Sequence, residues 1–101
     1  MDVTGIGPYI KRTGAFKMMI QGTGFAERDA VTVTIRVGGA VVRELTGTVL
    51  RVVTGGCIAR IGPRFTDEKD EFYDEDLAEV TVTVTNAAGT PDSIMEPGIQ
   101  E

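Results

Sequence analysis

The densest run of reactive side chains is Asp67-Glu68-Lys69-Asp70-Glu71-Phe72-Tyr73-Asp74-Glu75-Asp76-Leu77-Ala78-Glu79, with eight carboxylates and one lysine. Carboxylates at this density invite hard cations, because calcium takes several oxygens at once. The spacing is not the Asp-x-Asp-x-Asp-Gly loop of an EF-hand, so the run does not predict a metal site. Paired carboxylates also hydrolyse glycosides, but here both would sit on one short loop with no opposing wall. The expectation is therefore a solvated loop or a partner-binding patch. Its candidate residues are Asp67, Glu68, Asp70, Glu71, Phe72, Tyr73, Asp74, Glu75 and Asp76. Phe72 and Tyr73 either tuck back onto the domain or anchor a partner, as aromatics do at interfaces.

Other chemistry is thin. The chain has no histidine and one serine, Ser93, which removes Ser-His-Asp and Cys-His arrangements and the commonest zinc ligand. The single cysteine, Cys57, lies in the strand-like Cys57-Ile58-Ala59-Arg60-Ile61 and reads as a small buried core residue. Tryptophan is absent, which weakens a sugar-binding aromatic platform. Gly22-Thr23-Gly24 and Gly5-Ile6-Gly7 do not complete a phosphate-binding glycine motif and open no helix, so they read as strand corners. No catalytic residue, no cofactor and no small-molecule substrate is expected. The chain is not expected to be an enzyme.

The elements that carry these residues are strands. Val31, Val33, Ile35 and Val37 alternate with Thr32, Thr34 and Arg36, the period-two pattern of a strand with one buried face. Gly38-Gly39 reads as a two-residue hairpin turn into Ala40–Leu45. Val80 to Thr85 repeats the alternation, and Asn86 to Gly89 is a turn cluster before a closing strand over 90–95. Phe16–Gln21 forms an earlier strand with Phe16, Met18 and Ile20 inside. Thr48–Val53 and Cys57–Ile61 are two more, split by Thr54-Gly55-Gly56, and a short opening strand lies near Val3–Ile6. No window has the apolar spacing of an amphipathic helix.

With 101 residues the chain forms one domain over 1–101, with an acidic loop at 66–79 and a short C-terminal tail at 96–101. Charge is uneven. Residues 1–66 carry nine Lys or Arg against four Asp or Glu, a surplus of five positive charges. Residues 67–101 carry one Lys against eleven acids, a surplus of ten negative charges. Lys11, Arg12, Lys17, Arg36, Arg43, Arg51, Arg60 and Arg64 are scattered over the strands without interleaved aromatics, so no nucleic-acid partner is expected. No apolar run reaches the roughly 18 residues of a membrane helix, and no membrane partner is expected. The N-terminal residues lack a secretory pattern, so synthesis in the cytoplasm without a signal peptide is expected.

Several short motifs together are similar to the IPT/TIG family of immunoglobulin-like domains. They are Gly7-Pro8, then Met19-Ile20-Gln21-Gly22-Thr23-Gly24-Phe25, then Val33 to Val37 with Gly38-Gly39, and finally Val80 to Asn86 with Gly89. The resemblance spans residues 3–90. It implies a Pro after the first strand, a glycine corner with Phe25 folded back as a core plug, and a glycine hairpin. The stretch Thr66–Glu79 departs from the family in length and acidity. The expected fold is all-β, an immunoglobulin-like (E-set, IPT/TIG-like) sandwich of about seven antiparallel strands in two facing sheets. Such domains serve in receptors, transcription factors, polysaccharide enzymes, and phage or bacterial surface proteins.

The expected role is a non-enzymatic structural or interaction module. The specific expectation is a virion accessory protein, a phage capsid decoration or tail component at the virion surface. Its partner would be a capsid or other assembly subunit, with self-association as a variant. The alternative is a bacterial cell-surface or secreted-enzyme accessory domain that binds glycan or protein. Edge strands of an open sandwich would offer unpaired backbone groups to a neighbour.

Overall fold

The computed structural model describes residues 1–9, 16–62 and 79–97. These residues form seven strands: β1 (Asp2–Tyr9), β2 (Phe16–Thr23), β3 (Ala30–Val37), β4 (Ala40–Val53), β5 (Gly56–Gly62), β6 (Glu79–Thr85) and β7 (Pro91–Pro97). Every neighbouring pair is antiparallel, and the ladder runs β1-β2-β5-β4-β3-β6-β7.

Alternation creates the core. Val31, Val33 and Ile35 on β3 stand opposite Val84, Val82 and Val80 on β6, and all six are buried. On the other side Met18 and Ile20 of β2 and Cys57, Ala59 and Ile61 of β5 are buried, with Val49 of β4 beside them. Branched side chains on facing pleats leave no room for water, and burial of each contributes about 1.5–3 kcal/mol. Phe25 is buried beyond the Gly22-Thr23-Gly24 corner, as expected of a plug. The side chain of Phe16 lies outside the described residues.

The hairpin from β3 to β4 turns through Gly38 and Gly39 at φ of 60° and 84°. Two consecutive left-handed residues define a type I′ turn, whose twist matches the strands it joins. At the hairpin from β6 to β7 the Asn86 side chain accepts from the N–H groups of Ala88 and Thr90, both at 3.0 Å. This local bonding fixes the turn before β7.

Of the boundaries that differ from the sequence expectation, two have a direct cause in the ladder. Ala40–Leu45 and Thr48–Val53 are one 14-residue strand, β4, carried through Thr46-Gly47. Its first half pairs with β3 and its second with β5, and Thr46, Gly47 and Thr48 pair with both. Two neighbours saturate the backbone there, so the strand persists where apolar residues lapse. A Cβ built on Gly47 would overlap the carbonyl oxygen of Arg60, so the crossing requires glycine. The first strand is also longer than expected, and Pro8 lies within it rather than after it. Proline is tolerated because β1 pairs on one side alone and its register with β2 slips between Ile6 and Tyr9.

Where two separate sheets were expected, β4 joins both halves into one ladder that curls nearly closed. The end strands β1 and β7 come to lie side by side. Between them, Asp92 accepts from the Val3 N–H at 2.6 Å and Glu96 from the Ile6 N–H at 3.1 Å. The open edges expected to recruit a neighbour's strand are thus turned on each other and blunted with carboxylates.

Candidate functional site

The nine residues expected to bind a partner, Asp67, Glu68, Asp70, Glu71, Phe72, Tyr73, Asp74, Glu75 and Asp76, lie outside the described residues. So do Lys11, Arg12 and Arg64. The acidic stretch links the end of β5, where Gly62 pairs with Thr46, to the start of β6, where Glu79 pairs with Arg36. Glu96 and Pro97, expected in the C-terminal tail, belong to β7, and the rest of that tail lies outside the described residues.

What the structure does assemble is a pair of outer faces of different chemistry. The first covers β4, β3, β6 and β7. Because the inward positions of β3 and β6 are taken by valine and isoleucine, the alternate positions point out together. Register aligns Thr46, Thr32, Thr83 and Ser93 in one row across four strands. The next row is Glu44, Thr34, Thr81 and Met95. Strands about 4.8 Å apart and a two-residue repeat of about 6.7 Å give a regular grid of hydroxyls. Arg36 lies at its edge and donates from Nη1 to Thr81 Oγ1 at 3.3 Å.

The second face covers β2, β5 and the later half of β4. Met18 and Ile20 point in, so Lys17, Met19 and Gln21 point out. Met19 stands opposite Ile58, and Lys17 opposite Arg60. The ladder between β4 and β5 slips between Val49 and Arg51, so Leu50 and Arg51 together oppose Ile58. Leu50 is 42% exposed as a result. Residues 16–23 and 45–62 contain no Asp or Glu, so the charge on this face is positive throughout.

Neither face was named from the sequence. The alternation in 31–37 and 80–85 assigns each threonine to an outward position, but only strand order reveals which rows align. Lys17 and Arg60 are separated by 43 positions and become neighbours only through the β2–β5 pairing.

The Cys57 thiol is buried and free, in keeping with a core role. Burial, reinforced by the Asp29 carboxylate, pushes its pKa from 9.0 up to about 11, against a weaker opposing effect of a backbone hydrogen bond at Ile20. A thiol held neutral in this way is a poor nucleophile. Among the described residues no group of three or more His, Cys, Asp or Glu is placed to hold a metal ion. No described helix is long and apolar enough to cross a membrane.

No protein-family model matches the chain. Comparison with curated proteins likewise finds no significant match.

Proposed function

We propose that this chain is an immunoglobulin-like module of the IPT/TIG type that works by binding, as an accessory protein on the surface of a virion. The strand order supports the fold reading. In an immunoglobulin constant-type domain strands A, B, E and D form one sheet and C, F and G the other. The order β1-β2-β5-β4 followed by β3-β6-β7 has the same sequence of neighbours, with a long β4 bridging the two groups.

The observation that carries the binding reading is the hydroxyl grid on β4, β3, β6 and β7. Its central row, Thr46, Thr32, Thr83 and Ser93, has no charged member. Threonine is β-branched and stiff, so little side-chain entropy is lost when a partner covers it. Each hydroxyl both donates and accepts, which suits a polar, repeated protein surface such as a capsid lattice. The grid would meet that lattice, and the acidic segment 67–76 remains a proposed second contact.

Cosedimentation of the purified chain with assembled particles from its native source tests the reading. Wild type is expected to pellet with the particles, and Thr83→Arg to weaken that binding by about tenfold through one misplaced, desolvated charge. Failure to cosediment, together with absence from purified particles by mass spectrometry, overturns the virion assignment. Binding instead to envelope polysaccharide would favour a cell-surface role.

A further inference from the structure

Lys17 and Arg60 occupy directly opposed positions on β2 and β5, both exposed. Like charges so placed destabilise a sheet. Arg51 adds a third cation on the adjoining strand. Among the described residues none of the three has an ion-pair partner. Between and beside them lie Met19 and Ile58, half-buried, and the exposed Leu50. Among the described residues the face therefore combines positive charge that meets no carboxylate with an apolar strip.

We infer that this face docks a second copy of the chain, which presents its acidic segment, residues 67–76, to the three cations. Charge complementarity selects the occupant. Residues 67–76 carry seven carboxylates and one lysine, and two adjacent aromatics sit among them, Phe72 and Tyr73. Carboxylates answer Lys17, Arg51 and Arg60, and aromatic rings answer Met19, Ile58 and Leu50. Charge steers such an encounter and fixes its register, while the apolar contacts supply affinity. The contact pairs one surface with a different surface, so it is head-to-tail and can propagate beyond a dimer. It stands whether or not the hydroxyl face meets a virion.

Sedimentation of the full chain alone tests this inference without any particle. Concentration-dependent association is expected at about 50 mM salt and at least about tenfold weaker association at about 500 mM, since exposed charges are screened. Lys17→Glu/Arg60→Glu and Asp70→Lys/Glu71→Lys chains should each be monomeric alone, and should associate when mixed because each restores what the other lacks. Far-UV circular dichroism verifies that each variant is folded. If a variant does not fold, a synthetic peptide of residues 66–79 replaces it, and should dissociate the wild-type assembly. A wild-type chain that stays monomeric up to about 1 mM overturns the inference. So does association untouched by the charge reversals or by the peptide. Displacement of the bound peptide by duplex DNA or anionic vesicles, in a chain that does not self-associate, would assign the face to that partner instead.

Discussion

The Asp92 carboxylate and the backbone N–H of Val3 meet at 2.6 Å across the seam between the last strand and the first, 89 positions apart in the chain. An open sheet would leave that donor to water or to a neighbour. Here a charged acceptor takes it, and Glu96 does the same for Ile6. Hydrogen bonds to ionised groups contribute more than neutral ones, typically about 1.5–3 kcal/mol. Asp92→Ala is therefore expected to destabilise the fold by about 1–3 kcal/mol, and Asp92→Asn by less because an acceptor oxygen remains. Glu96→Ala should cost less than Asp92→Ala, given its longer bond of 3.1 Å. Urea midpoints at unchanged slope measure all three. A midpoint for Asp92→Ala equal to wild type would show that the seam is held by side-chain packing alone.

Gly47 sets a harder limit. The strand passes between β3 and β5 where a Cβ would strike the Arg60 carbonyl, a backbone atom that cannot rotate away. Gly47→Ala must shift one of the two ladders that share Thr46 to Thr48. Strain of this kind costs about 1–3 kcal/mol or more. Gly39→Ala is the comparison, because open space surrounds Gly39 and its penalty comes from a φ of 84° alone. Thermal melts should rank Gly47→Ala below Gly39→Ala. The reverse order would mean that β4 yields easily at the crossing.

Much of this architecture can be read from residue order. The alternations at 31–37 and 80–85 announce β3 and β6, Gly38-Gly39 announces the hairpin from β3 to β4, and Cys57 and Phe25 are buried as expected. The continuity of β4 is hidden, because Thr46-Gly47-Thr48 has no apolar residue and resembles a turn. Its strand state comes from neighbours distant in sequence. Pro8 conceals the length of β1 for a similar reason, since an edge position rather than local preference makes it tolerable. Asp92 and Glu96 look like ordinary solvated acids until β1 is placed beside β7. For the candidate site, sequence yields which side chains point outward. It withholds the pairing that puts Lys17 beside Arg60, and that pairing carries the argument for an anionic partner.

Arg28 offers a prediction of the opposite sign. Ala26 to Asp29 form a tight turn in which the Asp29 N–H donates to the Ala26 carbonyl at 3.2 Å and the Ala26 N–H donates to the Asp29 carboxylate at 2.9 Å. The third residue of the turn, Arg28, is left-handed at φ 73°, where Gly or Asn is favoured. A left-handed L-residue costs about 1–2 kcal/mol. Because Arg28 is exposed, Arg28→Asn removes strain without emptying the core. It should stabilise the fold by about 0.5–1 kcal/mol. Arg28→Val should destabilise it, since a β-branched residue resists this conformation. Chemical denaturation decides, and a fall in stability for Arg28→Asn would show that the guanidinium stabilises the fold by more than its strain costs.

Cys57 ties stability to alkaline pH. Its thiol titrates near 9.0 when exposed and near 11 in the fold, first because burial penalises the thiolate and second because the Asp29 carboxylate repels it. The folded state thus holds the proton more tightly than the unfolded chain. The resulting stability is fully present below pH 9.0 and is lost as pH rises through about 11. Two pKa units correspond to roughly 2–3 kcal/mol. The informative quantity is the difference between wild type and Cys57→Ala, which isolates the thiol from every other group. That difference should be flat from pH 7 to 9 and should shift against wild type by about 2 kcal/mol above it. A second readout needs no mutation: modification of the native thiol by an aromatic disulfide at about pH 8 should track the population of unfolded chain and accelerate with urea. Rapid modification without denaturant would place the sulfur at the surface and remove the basis for both expectations.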